Sequence, residues 1–422
     1  MNIIRKEDLP RALLHALWFS FLLFPLMVMK VSVASGVATV AWRWGMVPLV
    51  AIASFVLSIL WQMAHRASAE REKRPAGVVG PVQTFLSNIL SKRPLVLSGI
   101  LVIVAFALAY PWFFGFYQTD IMVTALIYVL LALGLNIIVG LGGLLNLGHA
   151  AFFAVGAYTY GLLWKYIGPV WTGAGLHSGW LFWISIPLAG LAAMVFGVLL
   201  SLPVLRLRGD YLAIITLAFG EIVRMVLQNW TPVTGGAQGI RLIPRPWLLD
   251  LKLKPADATT YIYYITLLFV VLAVASVRRL ENSRVGRALE GMREDEIACQ
   301  SVGINLVKNK LVTFALGAFW AGIAGTLFAA KTTFINPDSF TLWESIMVLM
   351  AVVIGGTGSI PGVILGALLL KLLPEWFRPL AQYRMIIYGV AMIVIIIFKS
   401  EGLIPRRRKM YTFSDKAGDN AQ

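Results

Sequence analysis

"DIMVTALIYVLLALGLNIIV" (Asp120–Val139) runs directly into "GLGGLLNLGHAAF" (Gly140–Phe152). The first piece is about 20 residues of almost unbroken apolar sequence, the length of one helical bilayer crossing. The second interrupts it with four glycines and then becomes apolar again. Backbone groups freed by such a break cannot be satisfied by hydrocarbon, so the break must be buried in protein or line a cavity. A second pattern of this kind, "GGTGSIPG" (Gly355–Gly362), follows the short apolar stretch Glu344–Ile354. About 11 residues at 1.5 Å each span roughly 17 Å, about half of the hydrocarbon core. Two glycine interruptions at similar depth suggest an internal duplication, and broken helices in corresponding places point to a transport path.

The whole chain fits this picture. Of 422 residues, 59% are hydrophobic and 13% charged, against about a quarter charged in soluble proteins. The apolar residues are gathered into blocks at Ala12–Ala34, Met46–Met63, Leu95–Phe116, Asp120–Val139, Leu144–Trp164, Trp180–Leu205 and Tyr211–Gln228. Further blocks follow at Tyr261–Val277, Leu311–Ala330, Glu344–Ile354, Val363–Leu373 and Met385–Phe398. The expected fold is an all-α polytopic membrane protein of about ten to twelve transmembrane helices, broken or short near Gly140 and Gly355. A β-barrel would show short alternating segments instead. The first block is too long for a secretory signal, so it reads as a first span with a cytoplasmic N-terminus.

Three parts are expected. Residues 1–94 form a two-helix extension, bordered by the interfacial Trp42 and Trp44 and ending in the basic linker around "HRASAEREKRPAGVVGP" (65–81). Residues 95–405 form the body, and residues 406–422 a basic tail. The net charge of +16 lies mostly between and beyond the blocks with few interleaved aromatics, so it records topology rather than nucleic-acid binding. Arg206, Arg208, Arg278, Arg279, Arg284, Arg287 and the tail mark the cytoplasmic side. Residues 229–260 then fall outside, with Arg241, Arg245, Lys252 and Lys254 as local exceptions, joined by Arg378 and Arg384.

Catalytic classes find little support. Cys299 is the only cysteine, so no intrachain disulfide can form. The four histidines, His15, His65, His149 and His177, have no neighbours at metal-ligand spacing. The chain contains no Gly-Lys dipeptide, which excludes a Walker A phosphate loop. Any ATP used in transport is bound elsewhere.

"GRALEGMREDEIACQSVGINLVKNK" (Gly286–Lys310) is a polar island between apolar blocks. Ser283 can cap a helix start. Val285, Leu289 and Met292 fall at i, i+4 and i+7, one apolar stripe. Cys299 and Val302 extend an apolar edge, Gly303 supplies a stop and Asn305 caps the next helix. The pattern predicts a short amphipathic helix on the cytoplasmic face, within a loop spanning 278–310. A solvated surface helix is the bland alternative. The apolar stripe rimmed by both charge signs favours a docking handle for a partner's groove.

Other positions invite weaker readings. Glu221 and Arg224 in "GDYLAIITLAFGEIVRMVL" lie three apart within a run long enough to span; they form a polar contact in a permeation path or an ion pair that fixes packing, or else the helix is short and Glu221 sits near an interface. Asn146 and His149 sit at the first break, and Gly355 and Gly356 at the second. Thr234, Gly235 and Gly236 belong to an exposed glycine-rich turn that could meet an external partner. Gly317, Gly322 and Gly325 let helices approach closely.

"LRLRGDYLAIITLAFGEIVR" (Leu205–Arg224), "TGGAQGI" (Thr234–Ile240), "GRALEGMREDEIACQSVGI" (Gly286–Ile304) and "GGTGSIPGVILGA" (Gly355–Ala367) together resemble the LivM type of inner-membrane permease subunit of branched-chain amino acid ABC importers. The resemblance runs from about Tyr110 to Pro405, and the N-terminal extension also looks like this subunit. It implies a bacterial inner-membrane protein with cytoplasmic termini, paired with a sister permease. Two ATP-binding subunits would carry ATP and Mg, with no cofactor on this chain, and a periplasmic amino-acid-binding protein would deliver the substrate. It also implies a coupling helix seated in an ATPase groove, carried by Arg284, Gly286, Arg287, Leu289, Glu290, Met292, Arg293, Glu294, Asp295, Glu296 and Gly303. The path would run near Asn146, His149, Glu221, Arg224, Gly355 and Gly356. An ion-gradient-coupled amino acid transporter is the alternative. It would need buried acidic or His relays, and the sequence offers Glu221 alone well inside a span. A membrane enzyme would need a catalytic constellation that the sequence lacks.

Overall fold

The computed structural model describes residues 29–34, 37–42, 105–173, 178–205, 207, 209–246, 255–376, 389–390, 393 and 402–404. Residues 12–28 of the first expected span, the second span, the linker, residues 95–104, nearly all of 385–398 and the tail lie outside the described residues. So do Arg206, Arg208, Lys252, Lys254, Arg378 and Arg384. The chain divides into two compact units, 1–103 and 104–422.

In the first unit the described residues form a hairpin. β1 (Met29–Ala34) pairs antiparallel with β2 (Val37–Trp42), with Met29 opposite Trp42 and Ala34 opposite Val37. This corrects one expectation: the first span does not continue as helix to Ala34. The cause is local. "MKVSVA" and "VATVAW" are rich in β-branched residues, and Ser35-Gly36 lies between them. Hydropathy registers the apolar content of this stretch but not its period.

The second unit is helical, built from α1 (Phe116–Asn136), α2 (His149–Gly173), α3 (Ser178–Val204), α4 (Asp210–Asn229), α5 (Pro255–Glu281), α6 (Arg284–Glu294), α7 (Glu296–Ser301), α8 (Leu306–Thr332), α9 (Leu342–Gly355) and α10 (Ile360–Trp376). A helical stretch over 105–113 precedes α1. Among the described residues, five segments are long and apolar enough to cross a bilayer: Phe116–Leu141, Gly179–Val204, Asp257–Glu281, Leu306–Thr332 and Pro337–Gly355. α2, α4 and α10 are not among them.

Two helices form the centre. In the Phe116–Leu141 span every residue from Ala125 to Asn136 is shielded. α1 packs against α5, α8, α9 and α10, and α8 packs against α1, α2 and α3. The close α8 contacts depend on glycine. A Cβ at Gly322 would lie 2.5 Å from the Ala189 carbonyl of α3, and one at Gly325 would lie 2.2 Å from the Phe153 carbonyl of α2. At Gly317 it would meet Ile138 at 2.6 Å. These three positions are the small-residue contacts the sequence suggests. The outer faces are apolar: Leu188, Leu191, Val195 and Leu199 of α3, and Leu268, Val271 and Leu272 of α5, are all exposed.

α1 ends, α9 meets α10, and α8 begins at one face of the bundle, the face that carries α6. At the far face, the end of α8 joins the chain after α4 through a short bridge. Ile240 and Ile335 exchange backbone hydrogen bonds of 2.9 and 3.1 Å.

Candidate functional site

The segment Arg284–Ser301 is two helices, not one. Ser283 begins α6, its hydroxyl accepting from the Gly286 amide at 3.0 Å. The helix ends at Asp295, which leaves helical geometry at φ −154°, ψ 112° and caps α7. Its Oδ1 accepts from the Ile297 and Ala298 amides at 2.7 and 3.0 Å. A continuous helix would leave that carboxylate solvated; the break lets it satisfy two orphan donors. Gly303, at φ +83°, stops α7, and Asn305 Oδ1 accepts from the Lys308 amide at 3.0 Å to start α8.

Burial gives the two helices opposite characters. Leu289 and Met292 are buried in the core of this chain, with Val285 packed beside them. The α6 stripe is therefore an internal anchor and not a free surface. Gly286 permits that approach, because a Cβ there would lie 2.1 Å from the Leu280 carbonyl. Arg284, Arg287, Glu294 and Asp295 are exposed, and Glu290 is half-buried. On α7 Cys299 points inward, while Ile297 is 67% exposed and Val302, just past the helix, 75% exposed. Glu296 turns back to Lys310 of α8 at 2.9 Å; Lys310 is almost fully buried. The free apolar surface of the segment thus belongs to α7 and its C-terminal end.

Both glycine breaks lie beneath α6. α1 loosens into a π-helical turn, Ile137–Leu141, and the chain reaches α2 through 142–148. The second break runs from Gly355 to Ser359, where Gly356 and Gly358 have φ of +115° and +85°. Ser359 caps α10, its hydroxyl accepting from the Gly362 amide at 3.3 Å. Residues 402–404 cover the α9 end, as Leu403 and Ile404 donate to the Ile354 and Gly355 carbonyls at 2.8 and 3.1 Å. The breaks touch each other: Asn136 Oδ1 accepts from the Gly358 amide at 2.8 Å. Arg293 reaches both, donating to the Gly140 carbonyl and to Thr357 Oγ1.

The remaining candidate residues are scattered. Asn146 is fully buried; its Oδ1 accepts from the Gly148 amide, and its Nδ2 has no partner. His149 is 1% exposed, with Nε2 3.1 Å from the Leu131 carbonyl and Nδ1 unpartnered. The neighbouring Ala150 amide donates to Ser345 Oγ of α9 at 2.9 Å. Glu221 and Arg224 pair at 2.9 Å on α4, and Arg224 lies 3.7 Å from Asp338. Both are partly exposed. Thr234 is buried and its hydroxyl is engaged by the Leu227 and Trp230 carbonyls. In that turn it is Ala237 and Gln238 that are exposed, while Gly236 is buried. A far-face cavity of about 570 Å³ lies beside it, lined by Trp164, Lys165, Ile240, Arg241 and Leu242 among others.

Residues 117–396 match the family described as "Branched-chain amino acid transport system / permease component". The chain belongs to that family. It is 40% identical over 393 residues to the high-affinity branched-chain amino acid transport system permease protein LivM of Salmonella typhimurium, covering 88% of this chain and 87% of that protein. The Escherichia coli K12 LivM protein is 42% identical over 351 residues, covering 78% and 79%. The LivH permease protein of the same organism is 24% identical over 287 residues, covering 66% of this chain and 91% of LivH. No solved structure matches the chain.

As a member of this permease family, the chain carries more polar groups between its helices than its hydropathy suggests. Lys331 of α8 pairs with Asp120 of α1 at 3.1 Å and also donates to Thr124. Tyr128 donates to Glu344 of α9, and the Lys371 ammonium of α10 lies 3.4 Å from the centroid of the Tyr128 ring. Tyr117 donates to Glu375. Positions 117, 120, 124 and 128 recur at helical spacing and form one polar face on α1. That periodicity is legible in the sequence. It is nonetheless masked by position: Asp120 and Glu344 stand at the ends of apolar blocks, Lys331 just beyond one, and Lys371 near the end of another. Charges in such places find partners or face cavities.

Proposed function

We propose that this chain is one permease half of an ATP-driven, binding-protein-dependent importer of branched-chain amino acids in the bacterial inner membrane. The α6–α7 segment carries the proposal: it is bolted inward by Leu289, Met292 and the Glu296–Lys310 pair, and it presents charges plus Ile297 and Val302 outward. A helix pair held rigidly to its own body, with exposed apolar side chains among charges, suits a groove on another protein. The absence of a Gly-Lys dipeptide supports placing ATP and Mg on separate subunits. Similarity to both LivM and LivH proteins supports pairing with a sister permease.

The exposed Arg278, Arg279, Arg284 and Arg287 support a cytoplasmic α6 face. The far face, with its Lys165- and Arg241-lined cavity, is then periplasmic and receives the binding protein. ATP-driven closure of the partner subunits would push α7 and α6, and the bundle would turn its cavity between outward and inward states. Asn146 and His149, with unspent buried donor and acceptor capacity, and the glycine breaks at Gly140 and Gly355–Gly356 would lie along such a path.

Reconstitution tests this. The chain would be incorporated into liposomes with a sister permease, the ATP-binding subunits and the binding protein. Leucine uptake should require both ATP and the binding protein and should ignore an ionophore. Uptake by this chain alone that an ionophore abolishes and ATP depletion spares would establish the ion-gradient transporter instead.

A further inference from the structure

Arg293 is exposed on α6, yet its guanidinium reaches back toward the bundle. Leu289 and Met292 fix α6 against the core, and the next residue is thrown back toward the bundle. Nη1 donates to the Gly140 carbonyl, at the end of the π-helical turn of α1. Helix ends leave such carbonyls without helical donors. Nη2 reaches Thr357 Oγ1, inside the second break, at 3.4 Å. The chain makes room for this arm: Gly143 adopts φ +67°, and a Cβ there would stand 2.8 Å from Arg293 Cγ. Gly140 is equally constrained, because its Cβ would lie 2.1 Å from Asn136 Oδ1 and 2.6 Å from the Gly358 amide nitrogen.

We infer that Arg293 is a positioning residue that clasps the two glycine breaks together, so that any displacement of α6 is transmitted to both. The fork geometry matters, since guanidinium offers two donors in fixed directions where an ammonium is a single point charge. Asn136 completes the device from within the membrane-spanning region, holding the Gly358 amide while Arg293 holds the Gly140 carbonyl. The breaks then behave as one mechanical unit, although 222 residues separate Asn136 from Gly358. This inference rests on the proposal that α6–α7 receives the push of the ATP-binding subunits. The clasp itself can be tested without them.

Two measurements test it. In the purified chain, amide hydrogen exchange is followed over 138–144 and 355–359 for wild type, Arg293→Lys and Arg293→Ala. Faster exchange in both segments together, larger for Ala than for Lys, is expected. Unchanged exchange, or a change in one segment only, overturns the clasp. In the reconstituted complex, leucine imported per ATP hydrolysed should fall about 10-fold in Arg293→Ala, within the usual range of coupling effects. Thr357→Ala should give a smaller loss and add little to Arg293→Ala, as expected for partners in one contact. Equal loss of uptake and hydrolysis, tracking only the amount of assembled protein, would make Arg293 merely structural and overturn the inference. A wild-type complex without ATP-dependent uptake would instead overturn the importer proposal, and the exchange result would still decide the clasp.

Discussion

α6 and α7 are adjacent, both are short, and each carries apolar residues among charges, yet they use them in opposite ways. α6 turns Leu289 and Met292 into the body of its own chain, whereas α7 keeps only Cys299 inside and leaves Ile297 exposed, with Val302 beyond its end. The hinge between them is one residue, Asp295, whose carboxylate caps the second helix. An amphipathic pattern establishes that a helix has an apolar side. Which protein covers that side depends on what already occupies it.

The largest expected effect comes from the ion pair that holds α7 to α8. Lys310→Met removes the almost fully buried ammonium that faces Glu296 and should cost about 3–5 kcal/mol, read as a lower midpoint of thermal unfolding in detergent. Unchanged stability would show that α7 is not fastened there. Leu289→Ala should cost about 2–5 kcal/mol, since it empties a fully buried position, and should loosen α6 from the body in the same assay. If it left stability intact and weakened only partner binding, the inward assignment of the α6 stripe would be wrong. Asp295→Ala removes the cap on the Ile297 and Ala298 amides and should cost about 1 kcal/mol, with faster amide exchange confined to 296–301. Ile297→Ser should change stability by less than about 0.5 kcal/mol, as surface substitutions do. It sharpens the comparison most, because co-purification of the ATP-binding subunits should fall while the chain itself stays folded. Retained co-purification would remove α7 from the docking surface.

Much of the site's punctuation was legible. Ser283, Gly303 and Asn305 each stand where a side-chain oxygen or a positive φ is needed, and local chemistry is enough to place them. Gly317, Gly322 and Gly325 were legible for a similar reason, since a small-residue stripe has few other uses in a membrane helix. The hairpin at 29–42 was hidden because hydropathy averages over alternation. Thr234 looked like an exposed loop residue; its burial comes from the chain folding back on the Leu227 and Trp230 carbonyls. Asp120 and Lys331 looked like boundary charges, and only the packing of α1 on α8 makes them a pair.

By itself the sequence determined the apolar blocks, the two glycine interruptions and the capped polar island, because each follows from solvation of backbone and side chains within a short window. Only the tertiary structure decided that the exposed Arg293 bonds to both interruptions, that the two interruptions touch, and that α7 rather than α6 offers the free apolar surface. Those outcomes depend on contacts between residues 153 and 222 positions apart, and no local rule of periodicity or propensity acts over that distance.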